Sequence, residues 1–297
     1  MKSAILAFGL VALTSLPTSA QDSTVIGWRK SLLVDVTTTQ TSYSDSWVGG
    51  EAGSFNWVAN LNGGAERQMK SWFNYRATLK LSFGQTMTQD EQSKDWSRPK
   101  KSTDLIDWEN LGRFTFNKFV DPYAAFRLES QFYTPLHPQK KAYLSPVKLT
   151  ESAGLARRFY QAKKDDQITS RLGFALRQIL KKDILDTVSF ATVDTTFTDG
   201  GLESVTDISL TLNSNLRYVG KLSLYKALYF SESSKVKGTP FENDWKAVDI
   251  NLENLVSANV TKIVAVTFYT QILYDRQVSY KGRFKETLGI GFAFKLA

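Results

Sequence analysis

The chain has 297 residues, one histidine, no cysteine and a formal net charge of +8. Without cysteine it forms no disulfide, and a single histidine gives little basis for a transition-metal site, so neither a metal nor a cofactor is expected. Aromatic residues are abundant, with 19 Phe, 12 Tyr and 7 Trp. The basic balance favours anionic lipid head groups or anionic solutes as partners.

The N-terminus has the pattern of a secretory signal peptide. Lys2 precedes an apolar stretch at residues 4–13 that is too short to span a bilayer, and small residues lead up to Ala20. We predict that residues 1–20 are cleaved and that residues 21–297 form a single domain. No later segment approaches the roughly 18 consecutive apolar residues of a membrane helix. Export also makes a nucleic-acid partner unexpected.

The rest of the chain alternates with a period of two. In residues 73–84 the odd positions read Phe, Tyr, Ala, Leu, Leu and Phe, whereas the even positions read Asn, Arg, Thr, Lys, Ser and Gly. One apolar face and one polar face predict a strand and not a helix. Most of the predicted strands are long enough to cross a bilayer at a tilt, which takes about 9–11 residues. The predicted strands span residues 32–43, 53–62, 72–84, 105–119, 123–133, 147–159, 168–180, 202–212, 216–230, 247–259, 262–275 and 283–296.

The connections between these strands largely alternate between long and short. Residues 85–104 and 231–246 are long polar segments, whereas residues 120–122 and 213–215 are tight turns. An even strand count returns the C-terminus to the side of the N-terminus, where a barrel closes. We therefore predict an all-β fold, a transmembrane antiparallel β-barrel of about 12 strands, with 10 or 14 as alternatives and both termini in the periplasm. A soluble barrel of the lipocalin type has the same period with reversed polarity, so alternation alone does not separate the two.

A few charged residues interrupt the apolar faces of the predicted strands. In this topology Glu151, Lys226 and Glu286 lie near the outer ends of their strands, and Lys118 and Arg157 lie near the inner ends. A lysine on the lipid face costs up to about 2–4 kcal/mol at mid-bilayer, and the cost falls toward the head groups. The position of these charges at the two rims therefore supports the membrane assignment.

Several long motifs carry a family resemblance. They are TTTQTSYSDSWVGGEAGSFNW, LKLSFGQT, KKSTDLIDWEN, FVDPYAAFRLESQF, LTESAGLARRF, SRLGFALRQ, DGGLESVTD and KLSLYKALYFSE. Together they resemble an uncharacterised domain-of-unknown-function family of outer-membrane β-barrels from Bacteroidota-type bacteria. The resemblance implies a barrel in a Gram-negative outer membrane, and it implies no activity. The last strand also resembles the alternating signal read by the barrel-assembly machinery, although the chain ends in Ala297 and not in Phe.

The polar faces of the strands carry the candidate pore-lining residues. A basic excess on this face would favour anions in a pore. For most of these residues we favour the alternative, a charge network that braces a filled lumen, because unpaired buried charges are costly. A 12-strand lumen lies between filled eight-strand barrels and open porins, so size does not decide. The candidates are Arg76, Lys80, Arg113, Arg127, Glu129, Arg171, Arg177, Glu203, Asp207, Arg217, Lys221, Asp249 and Glu253, and Asp107, Glu109, Arg283 and Lys285 fall on the same face.

No other motif predicts catalysis. The single histidine, His137, lies beside Pro138 in a loop, which fits poorly with a lipid-facing Ser–His pair. Residues 198–201 read TDGG and predict a turn, because they lack the spacing of a calcium loop. Most tryptophans fall near strand ends or in loops, which predicts interfacial girdles or loop packing, with a carbohydrate platform at Trp96 and Trp245 as the alternative. The tryptophans are Trp28, Trp47, Trp57, Trp72, Trp96, Trp108 and Trp245.

These observations predict an outer-membrane β-barrel that is not an enzyme. A narrow channel or transport-type barrel is the leading functional hypothesis, because the inward face is charged. A plugged barrel that acts as a structural or assembly partner is the alternative, and a lipid-modifying enzyme is a weaker third. Expected partners are outer-membrane lipids and lipopolysaccharide, the barrel-assembly machinery and small anionic solutes.

Overall fold

The computed structural model describes residues 27–43, 52–116, 118–134, 142–162, 166–185, 192–261 and 264–295. Within these ranges, the strands of one closed sheet are β1 (Arg29–Thr41), β2 (Ser54–Lys70), β3 (Phe73–Thr88), β4 (Lys100–Phe114), β5 (Asp121–Ser130), β6 (Val147–Gln161), β7 (Gln167–Leu185), β8 (Thr192–Thr211), β9 (Leu216–Phe230), β10 (Val248–Asn259), β11 (Val264–Tyr274) and β12 (Arg283–Lys295). The prediction of a 12-stranded antiparallel barrel is confirmed, against the alternatives of 10 or 14. The predicted signal peptide, His137 and Trp47 lie outside the described residues.

The barrel closes by pairing its first strand with its last. Leu33 of β1 lies opposite Lys295 of β12, and the antiparallel register continues to Thr37 opposite Gly291. Each other strand pairs with its neighbours along the chain. Closure removes the two exposed edges of a sheet, so the backbone groups of the strands bond to each other and not to solvent.

The polarity of the two faces is that of a membrane barrel. On the outside, Leu172, Phe174 and Leu288 expose 61%, 53% and 65% of their surface. On the inside, Arg171 and Asp107 are buried. Soluble monomers rarely expose large contiguous apolar surfaces, and a soluble lipocalin-type barrel would have the reverse arrangement. The lipocalin alternative is therefore wrong for this chain.

The two ends of the barrel differ in their connections. At one end, here called the short-turn end, the strands are joined by residues 71–72, 115–120, 162–166, 212–215 and 260–263. At the other, the long-loop end, most connections are longer, with residues 89–99, 131–146 and 231–247 among them. The exterior charges Glu151, Lys226 and Glu286 lie toward the long-loop ends of β6, β9 and β12, which agrees with the predicted clustering at a rim.

Aromatic rings and basic groups form a belt at the short-turn end. The ring of Trp72 stacks on Phe114 at 5.9 Å, with the Lys70 ammonium 5.5 Å from the Trp72 centroid. The Arg67 guanidinium lies 5.8 Å from the ring of Trp28. Amphipathic rings and long basic side chains suit the level of lipid head groups. The girdle prediction agrees with the placement of Trp28 and Trp72, whereas Trp108 lies in mid-strand on the exterior.

Several predicted strand boundaries were wrong. β2 was predicted to end at residue 62 but continues to Lys70 through Gly63 and Gly64, since it pairs with β1 and β3 along its whole length. β4 begins and ends five residues earlier than predicted, so that Thr115 and Phe116 lie beyond its end. β7 extends to Leu185 and β8 begins at Thr192, past the predicted ends at residues 180 and 202, because the two strands pair as a long hairpin. Local glycine and polar content favours turns, but pairing on both edges overrides it.

Short elements of secondary structure lie in the loops at the long-loop end. Residues Tyr133–Thr134 pair with Ala142–Tyr143, and residues 231–247 contain the single-turn helix α1 (Ser233–Val236) and a 3-10 turn at Asp244–Lys246. The carboxylate of Asp104 accepts hydrogen bonds from the backbone N–H groups of Phe132 and Tyr133, at 2.6 and 3.2 Å, and so anchors the first of these loops to β4. No helix in the described ranges has the length and apolarity needed to cross a bilayer.

Candidate functional site: the charged barrel interior

The sequence-predicted lining residues lie on the interior face of their strands. Strand alternation places Arg76 and Lys80 of β3 on the same face as Asn74, which is buried, and opposite the apolar Phe73 and Tyr75. Most of the predicted residues form ion pairs with each other. These ion pairs form three groups inside the barrel.

The central group crosses the lumen. Glu109 of β4 accepts a charge-assisted contact from Arg171 Nη2 of β7 at 2.5 Å. Its other oxygen accepts a hydrogen bond from Lys221 Nζ of β9 at 3.2 Å. All three residues are buried. Because β4 and β9 lie nearly opposite each other in the strand order, the Glu109–Lys221 pair bridges the barrel from wall to wall.

Two further pairs cross the lumen from β3. Arg76 Nη2 lies 3.4 Å from Asp207 Oδ2 of β8, and the same carboxylate oxygen lies 3.7 Å from Arg171. Lys80 Nζ donates to Glu253 Oε2 of β10 at 3.4 Å. Together, Glu109–Lys221, Arg76–Asp207 and Lys80–Glu253 are called the cross-lumen ion pairs below.

The second group lies on the wall formed by β4, β5 and β6. Arg127 makes a bidentate contact with Asp107, from Nε to Oδ1 at 2.8 Å and from Nη2 to Oδ2 at 2.9 Å. Its Nη2 also lies 3.2 Å from Glu129, which in turn pairs with Lys148 Nζ at 3.1 Å. Bidentate Arg–carboxylate geometry is strong and directional, so this group stiffens the wall.

The third group includes residues that sequence reasoning missed. Arg177 of β7 makes a bidentate pair with Asp199 of β8, at 2.7 and 2.9 Å, and donates from Nη1 to Asp249 at 2.8 Å. The hydroxyl of Tyr225 donates to Asp199 Oδ1 at 2.6 Å, and its ring lies 3.5 Å from the Arg177 guanidinium. Alternation along β8 assigns Asp199 to the same face as Glu203 and Asp207, which was the signal that could have found it.

The turn predicted at residues 198–201 is wrong. These residues lie inside β8, and the register shifts between Gly200 and Gly201, as in a β-bulge. A Cβ at Gly201 would lie 2.0 Å from the carbonyl oxygen of Lys226, so the close approach of β9 requires glycine. The local sequence has turn chemistry, but here the glycines serve the bulge beside Asp199.

The remaining candidates are placed as follows. Arg113 Nε lies 3.7 Å from Asp121, near the short-turn end. Arg217 is exposed, and its Nη2 donates to Ser209 Oγ at 2.9 Å. Glu203 lines a cavity of about 10 Å³ together with Glu109 and Arg171. A volume of that size holds about one water molecule, so the interior around Glu109 is filled by side chains.

The interior divides into two sectors of unequal packing. The packed sector is the interior face of β4–β9, where the side chains of Asp107, Arg171, Ala175, Asp199 and Tyr225 are buried. The open sector is the interior face of β10–β12 and β1–β3. There most side chains are half-buried, and the uncharged ones include Thr37, Asn60, Asn62, Ser82, Asn251, Thr267, Tyr269, Gln271 and Thr287.

Besides the cross-lumen ion pairs, the open sector carries the charged residues Asp35, Asp249, Arg283 and Lys285 and, near the short-turn end, the Arg29–Glu66 ion pair at 2.7 Å. Asp35 Oδ2 accepts a hydrogen bond from Asn60 Nδ2 at 2.8 Å. Lys285 is exposed, and its ammonium donates to Thr103 Oγ1 at 3.3 Å, with no carboxylate among the described residues within ion-pair distance. A side chain that is exposed inside a barrel faces lumen water. The open sector is therefore a polar surface with two basic groups, Arg283 and Lys285, toward its long-loop end.

The loop at residues 231–247 covers the packed sector at the long-loop end. The ring of Trp245 lies 6.0 Å from that of Phe230 and packs against the interior cluster of Ala175, Tyr225 and Ala227. This agrees with loop packing and not with a carbohydrate platform for Trp245. Tyr280, in the connection between β11 and β12, donates a hydrogen bond from its hydroxyl to Asp244 of this loop at 2.7 Å. This bond raises the pKa of the Tyr280 phenol because the carboxylate disfavours the ionised form.

The described residues offer no cluster for a metal ion. Among them, no group of three or more His, Asp or Glu side chains is arranged to hold one. The interior chemistry is therefore that of paired guanidinium, ammonium and carboxylate groups with amides and hydroxyls.

A family model matches part of the chain. A family described as a protein of unknown function (DUF3078) matches residues 38–135. The resemblance to a family of unknown function is thereby confirmed over this part of the chain, from β1 to the loop after β5. A comparison with curated proteins found no match.

Several solved barrels have a similar backbone arrangement. The translocator domain of the autotransporter NalP from Neisseria meningitidis is 9% identical, with a TM-score of 0.40, and the match covers 92% of this chain and 90% of that one. An outer membrane channel from Pseudomonas putida F1 is 11% identical, with a TM-score of 0.39 and coverage of 95% and 99%. The NanC porin is 12% identical, with a TM-score of 0.37 and coverage of 90% and 100%.

Proposed function

We propose that the protein is an outer-membrane channel that passes small polar solutes through the open sector of its lumen. In this proposal the cross-lumen ion pairs are fixed supports that hold the packed sector closed. The aqueous path runs beside them, along the walls of β10–β12 and β1–β3. The path is narrow because it occupies only part of the interior of a 12-strand barrel.

Placement in a membrane is supported by the exterior surface. Exposed leucine, phenylalanine and isoleucine side chains such as Phe284, Leu288 and Ile290 surround the barrel. In water this surface would drive association, whereas in a bilayer it faces acyl chains. The belt of Trp28, Trp72 and nearby basic groups at the short-turn end fits the level of head groups. Only closed barrels and helices satisfy their backbone groups in a bilayer.

The unequal packing of the interior is the observation that carries the channel proposal. A barrel whose only task is structural has no need for a solvent-exposed sector, since burial of the same wall would add stability. The half-buried residues on this wall include the amides Asn60 and Gln271 and the hydroxyl of Thr287. Such groups exchange hydrogen bonds with passing solutes without binding them tightly, as conduction requires.

Single-channel recording in planar bilayers tests the proposal. Purified protein, shown to be folded by heat-modifiable electrophoretic mobility, is expected to give discrete current steps smaller than those of open sixteen-strand porins. Folded protein that inserts into the bilayer but passes no current would contradict the proposal.

The cross-lumen ion pairs favour a second candidate, a closed barrel with a structural or assembly role. Glu109–Lys221 and Lys80–Glu253 connect opposite walls, and such braces suit a barrel that conducts nothing. In that case the folded protein is silent in bilayers and co-purifies with a defined envelope protein in mild detergent. A conducting protein that purifies alone would rule out this candidate.

A further inference from the structure

We propose that the rim of the barrel at the short-turn end holds a binding site for a phosphate group, either that of an anionic lipid head group or that of a small phosphorylated solute. The site is a cavity of about 130 Å³ where β4, β5 and β6 meet. It is separate from the open sector and goes beyond the proposed channel function.

The charge of the cavity is the first argument. In the part of the chain that the structure describes, its lining includes Arg113, Lys118, Arg157 and Arg158 and one carboxylate, Asp121. Asp121 lies 3.7 Å from Arg113 and partly neutralises it. Among the described residues, neither Lys118 nor Arg157 has a carboxylate within ion-pair distance. Like charges gathered around one cavity repel each other unless an anion occupies it.

The shape and chemistry of the cavity favour a tetrahedral oxyanion. Guanidinium groups present planar pairs of N–H donors that match phosphate oxygens, and lysine adds a mobile point charge. A cavity needs only about 10–15 Å³ to hold one water molecule. The cavity of about 130 Å³ therefore admits a phosphate group with some of its hydration. Thr115, Phe119, Val120 and Ala156 complete the lining.

The position of the cavity relates it to the bilayer surface. Arg157 lies on the exterior face of β6, with its guanidinium 3.7 Å from the ring of Phe119 and 5.0 Å from that of Phe159. Both rings are exposed. Arg113 and Ala156 lie on the interior face of their strands and are buried. The cavity thus lies at the end of the barrel wall, beside exposed rings that suit the head-group level.

Isothermal titration of the full chain in a non-ionic detergent tests the proposal. The probes are inorganic phosphate, dihexanoyl phosphatidylglycerol and, as the zwitterionic comparison, dihexanoyl phosphatidylcholine. The test variant is Lys118→Gln/Arg157→Gln, and the control is Lys100→Gln/Lys237→Gln, which removes the same charge from exposed positions at the long-loop end. Heat-modifiable mobility verifies that each variant is folded.

We expect saturable binding that weakens at least about tenfold in the test variant, as loss of a charged hydrogen bond implies, and that is unchanged in the control. Binding of inorganic phosphate identifies a solute site. Binding of phosphatidylglycerol without inorganic phosphate or phosphatidylcholine identifies a lipid head-group site. The proposal is overturned if the wild type binds neither phosphate nor phosphatidylglycerol, or if the test variant binds as tightly as the wild type. The result is independent of whether the barrel conducts current.

Discussion

Arg177 and Asp199 form a bidentate ion pair inside the barrel, with Nε–Oδ1 and Nη2–Oδ2 distances of 2.7 and 2.9 Å. Asp199 is 1% exposed, and Tyr225 donates a further hydrogen bond to it. A buried carboxylate with three donors is a fixed part of the wall and not a group that meets solutes. This pair therefore marks the packed sector, beside the bulge where β8 and β9 approach closely.

Asp199→Asn is expected to destabilise the barrel. The amide leaves the buried Arg177 guanidinium with Asp249 as its remaining carboxylate, and breaking a buried ion pair costs about 3 kcal/mol or more. Urea unfolding in lipid vesicles, followed by tryptophan fluorescence, measures the change in free energy of unfolding. Glu91→Gln, at an exposed position in the loop after β3, is the control and should unfold like the wild type.

Glu109→Gln is expected to weaken the side-chain contacts that cross the centre of the lumen. The change removes the carboxylate that connects Arg171 and Lys221, so that Lys221 loses its ion-pair partner and opposite walls lose a brace. Single-channel conductance should rise or become noisier than that of the wild type, because unpaired charges in the lumen recruit water. Glu203→Gln is the matched control, since Glu203 lines the same small cavity without a carboxylate–cation contact within 4 Å in the described residues. Equal currents in both variants would argue against a bracing role for Glu109.

Lys285→Glu is expected to change ion selectivity. Lys285 is an exposed cation on the interior of the open sector, so the wild type should prefer chloride over potassium. The variant should reverse that preference, taking the permeability ratio from above one to below one. Reversal potentials in a KCl gradient near 0.1 M measure the ratio, because the Debye length there is still about 10 Å. Lys237→Glu, in the loop outside the barrel, is the control, and an equal shift in it would contradict a role for Lys285.

Gly201→Ala is expected to impair folding of the barrel. An added Cβ would lie 2.0 Å from the Lys226 carbonyl oxygen, so β8 and β9 must move apart at the bulge to accommodate it. Overpacking of this kind costs about 1–3 kcal/mol. The fraction of heat-modifiable protein after refolding reports the defect. Gly63→Ala is the control, because its Cβ would meet its nearest neighbour at an ordinary 3.8 Å.

Most of the fold could be predicted from the sequence because apolar and polar side chains alternate along a barrel strand. Where alternation is unbroken, as in β9 (Leu216–Phe230), the predicted and observed spans agree residue for residue. The prediction was wrong where glycine or polar residues suggested a turn, as at Gly63, Gly64 and residues 198–201. In those places backbone pairing with two neighbouring strands decides the structure, and a single sequence does not contain that information.

The site was predictable in its composition and not in its arrangement. Alternation placed Arg76, Glu109 and Lys221 on the interior face. It did not reveal that Glu109 meets Lys221 across the lumen, since strand partners nearly half a barrel apart depend on the closed shape. The unequal packing of the two sectors also depends on the closed shape of the barrel. Large charged side chains from β4–β9 fill one side, and smaller amides and hydroxyls from the remaining strands leave the other accessible.

Cysteine accessibility measures the open sector most directly, because the natural chain contains no cysteine. Thr287→Cys places a thiol in the open sector and Ser152→Cys places one in the packed sector, both on the interior face. During single-channel recording, a sulfonated methanethiosulfonate reagent should reduce the current of Thr287→Cys and leave that of Ser152→Cys unchanged. Equal modification of both variants, or no effect on Thr287→Cys, would contradict an aqueous path along the open sector.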